Sequence, residues 1–313
     1  MKTRTRLMNA YANRYYHWQV KRRLSRLFVQ RWHSGDNWEA GATGQPPVIL
    51  LGMHRSGTTL LSKLLRPAGL HLGDWRGADT DESIYFQNLN EALLRLASAS
   101  WDEPQPFVRA LKNVRLSEAM AGALADYLND GSLSKPFLGK RGESLFAQAS
   151  PWGWKDPRTC YTLPLWLKLF PEAKVLFIHR NGVDVAQSLV HRNQRLMNTF
   201  NGSLRCTTLS GAFELWEMYN QQCLRWLAEV PATQQHTVSF ENLMTAPEAE
   251  LKAVCEFLHL SGASPDLGAL AGRVNPKRAH AFRKTPALVD FYHAVADCAM
   301  MREFGYEHVK IQD

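Results

Sequence analysis

Two stretches of this chain carry residue types at spacings suited to holding phosphate. The first is Pro47-Val48-Ile49-Leu50-Leu51-Gly52-Met53-His54-Arg55-Ser56-Gly57-Thr58-Thr59-Leu60-Leu61. It reads as a short apolar strand, a glycine-bounded loop and the start of an apolar helix. Its Gly-x4-Gly-x-Thr spacing is that of a phosphate-binding loop. Such a loop holds anions with backbone N–H groups, because first-turn donors have no partner inside the helix and the helix dipole favours negative charge. Those donors are the N–H groups of Arg55, Ser56, Gly57, Thr58 and Thr59, and the hydroxyls of Thr58 and Thr59 add two more. Thr58 stands where nucleoside-triphosphate loops carry lysine, and the nearest cation is Arg55, inside the loop. With no lysine to reach a γ-phosphate, the spacing points to a phosphorylated donor of another kind.

The second stretch is Lys174-Val175-Leu176-Phe177-Ile178-His179-Arg180-Asn181-Gly182-Val183-Asp184-Val185-Ala186-Gln187-Ser188. It reads as a buried strand, a turn and a helix. Arg180 stands at the strand end, and Ser188 follows about two helical turns later. Strands that alternate with helices imply a parallel sheet covered on both faces, where ligands bind beyond the carboxyl ends of the strands. Gly52 and Arg180 both stand at such ends. Two phosphate motifs on one edge suit a nucleotide phosphorylated at its 5′ and 3′ positions.

Together the two stretches resemble the sulfotransferases that use 3′-phosphoadenosine 5′-phosphosulfate (PAPS). The segments Trp154-Lys155-Asp156-Pro157-Arg158, Leu163-Pro164 and Phe170-Pro171-Glu172-Ala173 look like the bacterial branch of that family. Val238-Ser239-Phe240-Glu241-Asn242-Leu243 is similar to its late strand, which usually carries Tyr-Glu-Asp-Leu. The resemblance covers roughly residues 47–285. It implies an α/β, three-layer, P-loop-like fold with a central, mainly parallel sheet flanked by helices. It also implies PAPS as donor, 3′,5′-bisphosphoadenosine as product, and no metal. The first loop would bind the 5′-phosphosulfate, with Arg55 where many relatives use lysine. Arg180 and Ser188 would bind the 3′-phosphate. A late basic segment, here Lys277, Arg278 and Arg283, would close over the nucleotide.

Lys155 matches a family lysine near the transferring sulfuryl group, but Pro157 falls where the cytosolic branch has its histidine base. The base must then be another residue, and the resemblance implies a carboxylate, since relatives that lack the histidine use a Glu placed after the loop helix. Glu82 is the first candidate, with Asp81 and Asp156 next and Asp79 and Glu91 also in the region. Gln87, directly after Tyr85-Phe86, replaces an acid common in bacterial relatives. Trp75, Trp152 and Trp154 flank these segments, either as core or as stacking surfaces. The acceptor offers a hydroxyl or an amine on a carbohydrate, a lipid-linked compound or a small molecule, and no nucleic-acid partner is expected. Two other readings stay open. A P-loop kinase or nucleotidase would need a Walker lysine and a strand ending in Asp for Mg2+, and neither is evident. A non-catalytic nucleotide binder of the same fold would need no base.

The chain has 313 residues and a formal net charge of +8. That charge is concentrated: residues 1–33 hold nine Lys and Arg and no acid, whereas bases and acids nearly balance over the rest. The pattern divides the chain into a basic amphipathic arm (1–40) and one domain (41–313). The arm reads as a helix over 5–32, from Leu7, Tyr11, Tyr15 and Trp18 and from Leu24, Leu27, Phe28 and Trp32 at helical spacing. Three uses of it stay open: packing on the body, peripheral contact with an anionic membrane, or contact with a partner or polyanionic acceptor. The five cysteines are scattered and form no Cys-x-x-Cys pair, which favours reduced thiols in the cytoplasm. No run reaches the ~18 apolar residues of a membrane span. Self-association is left open.

Further helices are expected over 58–66, 89–99, 117–129, 162–170, 182–192, 208–229, 247–258 and 286–302. Strands are expected over 48–52, 174–180 and 236–240, and long loops over 130–151, 193–205 and 273–284.

Overall fold

The computed structural model describes residues 2–39, 44–77, 80–139, 144–197, 202–260 and 266–311, with side chains from residue 15 onward. These residues gather into two compact units. One combines the N-terminal segment to Pro46 with Gly73–Ser150 and Tyr161–Glu172; the other combines Pro47–Leu72, Pro151–Cys160 and the chain from Ala173 onward.

The first unit is helical. Its longest helix, Lys2–Ser34, buries Val20, Leu24 and Leu27 and packs on the helices Ile84–Leu96 and Val114–Asn129. Arg31 fixes that contact with two hydrogen bonds to Asp126, at 2.7 and 2.6 Å. Tyr85, Phe86, Phe137 and Trp166 fill the interior with edge-to-face and tilted ring pairs. Asn90 Oδ1 accepts from Thr162 Oγ1 at 2.7 Å and from Trp166 Nε1 at 2.8 Å, so these buried polar groups are satisfied. Several elements differ from expectation. The helix expected at 89–99 begins at Ile84, because the apolar positions Ile84, Tyr85 and Phe86 belong to its buried face. A helix Gln105–Leu111, opening beside Pro104, has no sequence expectation behind it. The expected loop 130–151 contains the helix Gly131–Leu138, which Asp130 caps by accepting from Ser132 N at 3.1 Å.

The second unit is built on four parallel strands: β1 (Val48–Leu51), β2 (Gly153–Lys155), β3 (Lys174–His179) and β4 (Gln235–Ser239). Their spatial order is β2-β1-β3-β4. All four β1 residues are buried, as the near-continuous apolar run of a two-sided parallel strand requires. Val48, Leu50, Leu176, Ile178 and Val238 face one core with Leu61, Leu65 and Leu251, from the helices Thr58–Leu65 and Pro247–Leu258. Opposite them Phe177 meets Phe304 at 6.1 Å, and His179 stacks on Phe304 at 4.1 Å. Helices therefore cover both sheet faces, and the α/β fold with a parallel central sheet is as the sequence implies. β2 was not expected, and the helix expected at 286–302 is two, Pro286–Val295 and Ala299–Glu303.

Candidate functional site

Within the sheet unit three adjacent strands end together. Leu50 pairs with Lys155 and Leu51 with Phe177, so the Gly52 loop, Lys155 and Arg180 emerge at one edge. Two glycines make the loop possible. A Cβ at Gly52 would lie 2.6 Å from the Ile178 carbonyl oxygen. Gly57 has φ +102°, and a Cβ there would lie 2.4 Å from Phe240 Cδ2. The helix begins directly after it, at Thr58, leaving its first-turn N–H groups outside the intrahelical ladder. Arg55 adopts φ 72°, in the left-handed region uncommon for a side-chain-bearing residue. Ser56 is fully buried, and its hydroxyl meets no hydrogen-bond partner among the described residues.

Arg180 leaves β3 into a dense network. Its Nη2 donates to Asp184 Oδ2 and to the Arg278 carbonyl, each at 3.1 Å, and its Nη1 donates to the Arg55 carbonyl at 3.4 Å. The guanidinium lies over the Phe240 ring, 4.3 Å from its centroid. Its Nε is buried and meets no partner among the described residues. Arg55 Nε donates to Ser188 Oγ at 2.8 Å. A hydroxyl that accepts still has its own proton to donate. Asp184 also accepts from Ala281 N at 3.1 Å and Phe282 N at 2.8 Å, which ties the basic segment 273–284 to the start of the helix Gly182–Met197. Below, Glu241 accepts from Asn181 N at 3.1 Å and from the Tyr306 hydroxyl at 2.5 Å. Burial raises the Glu241 carboxyl above its usual range, against those hydrogen bonds. His179 is lowered to about 4 by burial and stays neutral at pH 7.

The edge is strongly electropositive. Burial, then Arg192, Arg180, Arg278 and Arg195, lower the Arg55 guanidinium below its ordinary value. Burial, then Arg192, Arg158, Lys155 and Arg55, hold the buried His54 neutral, well below the usual histidine range. Among the described residues, Arg55, Arg192, Arg195 and Arg278 form no ion pair with a carboxylate. Like charges gathered without counter-charges favour an anion strongly.

Of the other expected site residues, Thr58 is buried at the helix start, and Thr59 Oγ1 accepts from Lys155 Nζ at 3.4 Å. Asp156 is fully buried and accepts from Arg158 Nη1 at 2.7 Å. Trp152 and Trp154 are core residues, 1% and 0% exposed. In the helical unit, Glu82 and Asp81 are both buried. Asp81 accepts from Arg76 at 2.7 Å, and Glu91 lies 3.5 Å from His17. Trp75 packs edge-to-face on Tyr16 at 4.8 Å. Asp79 lies outside the described residues.

Residues 46–264 match the model of the Sulfotransferase family. The chain therefore belongs to the sulfotransferase family, whose chemistry is transfer of a sulfuryl group. The sulfotransferase STF1 of Mycobacterium tuberculosis H37Rv has a similar fold, with a TM-score of 0.51, 16% identity, and coverage of 85% of this chain and 79% of STF1. A sulfotransferase from Alicyclobacillus acidocaldarius aligns with a TM-score of 0.46 and 16% identity, over 85% of this chain and 98% of its own. No curated protein sequence matches.

Sequence reasoning missed Arg192 and Phe240. Arg192 follows Ser188 by one helical turn, so the i, i+4 spacing from an expected phosphate ligand was a usable signal. Phe240 sits against both Gly57 and Arg180, a role that only the sheet order reveals.

Proposed function

We propose that this chain moves a sulfuryl group from PAPS to an acceptor hydroxyl or amine on a carbohydrate, lipid-linked or small-molecule acceptor in the cytoplasm. One observation carries the reading. Arg180 donates to the Arg55 backbone, and Arg55 donates to Ser188, so the two phosphate segments form one hydrogen-bonded unit. A donor with charge at both its 5′ and 3′ ends suits that unit. The loop N–H groups with Ser56, Thr58 and Thr59 would hold the 5′-phosphosulfate. Arg180 and Ser188 would hold the 3′-phosphate, with Arg278 alongside. Lys155, carried on β2 to the loop helix, and Arg55 would meet charge on the leaving phosphate. Charge met by fixed donors in a water-poor site is the largest common contribution to catalysis.

In the transfer, the acceptor oxygen or nitrogen forms a bond to sulfur as the donor's bridging S–O bond breaks. The acceptor's proton passes to a carboxylate, here Glu82, and 3′,5′-bisphosphoadenosine leaves. Asp156, ion-paired and shielded, fits better as the residue that orients Arg158.

Calorimetry with 3′,5′-bisphosphoadenosine and with its 3′-hydroxyl analogue tests the donor. The bisphosphate should bind at least ~10-fold more tightly, since charge-assisted hydrogen bonds are worth roughly 1.5–3 kcal/mol. The difference should vanish in Arg180→Gln. Equal affinities in the wild-type chain would sink the assignment, and tighter binding of ATP-Mg would favour a kinase.

A further inference from the structure

We infer that the outward face of the helix Lys2–Ser34 is a docking surface for anionic phospholipid. The helix has two unlike sides. Val20, Leu24 and Leu27 are buried against neighbouring helices of the same unit, and Arg31 is anchored on Asp126. On the other side Tyr15, Trp18 and Val29 are 61%, 51% and 50% exposed. They account for half of the six large apolar side chains that stand exposed among the described residues. Arg22 and Arg26 are exposed between them. At 3.6 residues per turn, Trp18, Val29, Arg22, Tyr15 and Arg26 fall within a sector of about 80°.

The rings on this face are already ordered. Tyr15 and Trp18 stack at 6.1 Å, and the Arg22 guanidinium lies over the Trp18 ring at 5.2 Å. This is a layer of amphipathic rings with cations among them. Trp and Tyr favour the boundary between water and lipid, where the ring is buried and its polar atom stays wet. Arginine lays its aliphatic stem beside them and keeps its charge at headgroup level. No acid occurs in residues 1–33, so nothing along the helix repels an anionic surface. The nearby Asp130 lies 3.8 Å from Arg23, off this face. A soluble polyanion would match the cations but leave the rings in water, which is why lipid is the better occupant. The exposed apolar area is small, so attachment should be reversible and salt-sensitive.

The test uses the full chain, cosedimented with vesicles of pure phosphatidylcholine or of phosphatidylcholine containing phosphatidylglycerol. Binding to the anionic vesicles is expected, with little to the neutral ones, and it should fall steeply as salt is raised. Arg22→Gln with Arg26→Gln should weaken it on the order of tenfold or more. Tyr15→Ala with Trp18→Ala should also weaken it several-fold. All four positions are exposed, so melting temperature should stay near wild type and report intact folding. Equal binding to both vesicle types, or none to either, overturns the inference. So does unchanged binding in either double variant. Loss on removing the charges but not the rings would assign the face to polyanions in general and against lipid.

Discussion

The sheet unit and the helical unit treat charge in opposite ways. In the helical unit the acids have partners: Asp126 with Arg31, Asp81 with Arg76, Glu118 with Lys168 and Glu91 with His17. Three of these pairs, those of Asp126, Glu118 and Glu91, join one helix to another. At the edge of the sheet unit, burial and then the charges of Arg192, Arg180, Arg278 and Arg195 lower the Arg55 guanidinium, and Arg55, Arg192, Arg195 and Arg278, among the described residues, meet no carboxylate. Gathered cations cost stability through mutual repulsion, and such a cost persists where an anionic ligand offsets it. The difference teaches where affinity resides. On the proposed reading, the donor-binding residues belong to the sheet unit, and the proposed proton acceptor, Glu82, is a residue of the helical unit.

Three substitutions test that division. The largest effect is expected from Gly57→Val in the sheet unit. A branched side chain at φ +102°, with its Cβ 2.4 Å from Phe240, combines backbone strain with overpacking, together roughly 2–6 kcal/mol. Phe240 also lies under Arg180, so both phosphate segments should move. Thermal melting should show a clear loss of stability, and calorimetry a loss of bisphosphate binding. Retained binding would break the link between the segments.

Glu82→Gln, in the helical unit, should lower turnover about 100-fold, the low end of general acid–base contributions, while bisphosphate affinity stays close to wild type. A parallel loss of affinity would blur the division, and unchanged turnover would move the base to Asp81.

The smallest effect belongs to Ser188→Ala. It removes the oxygen that accepts from Arg55 Nε and one hydroxyl donor, worth ~0.5–1.5 kcal/mol. Bisphosphate affinity should fall about threefold to tenfold, with less change for the 3′-hydroxyl analogue. An equal loss for both nucleotides would place Ser188 on the 5′ side.

Much of the sheet unit was legible because its signals are local. Gly52, Gly57 and Arg180 follow apolar runs within a few residues, and each run is long enough to show a buried strand. β2 is three residues long, too short for any periodicity, so its strand character comes only from pairing with β1. The helical unit was harder. The helix Gly131–Leu138 contains Pro136 and lies in a Gly-, Ser- and Pro-rich stretch that reads as loop; packing of Phe137 and Leu138 into the core overrides that preference. Glu82 carries no motif of its own, and no local pattern marks it as buried.

The sequence by itself determined that two turns with the spacing of phosphate-binding loops follow two buried strands, that Thr58 stands where a triphosphate loop has lysine, and that the positive charge is concentrated before residue 34. These depend on residue type and short spacing, which local sterics and hydrogen bonding translate directly. Only the tertiary structure decided that Lys155 stands beside the loop, that Phe240 underlies both phosphate segments, and that Arg192 adds its charge to theirs. It also decided which side of the N-terminal helix is buried. Those outcomes depend on strand order and helix packing, which join residues far apart in the chain and which no local pattern encodes.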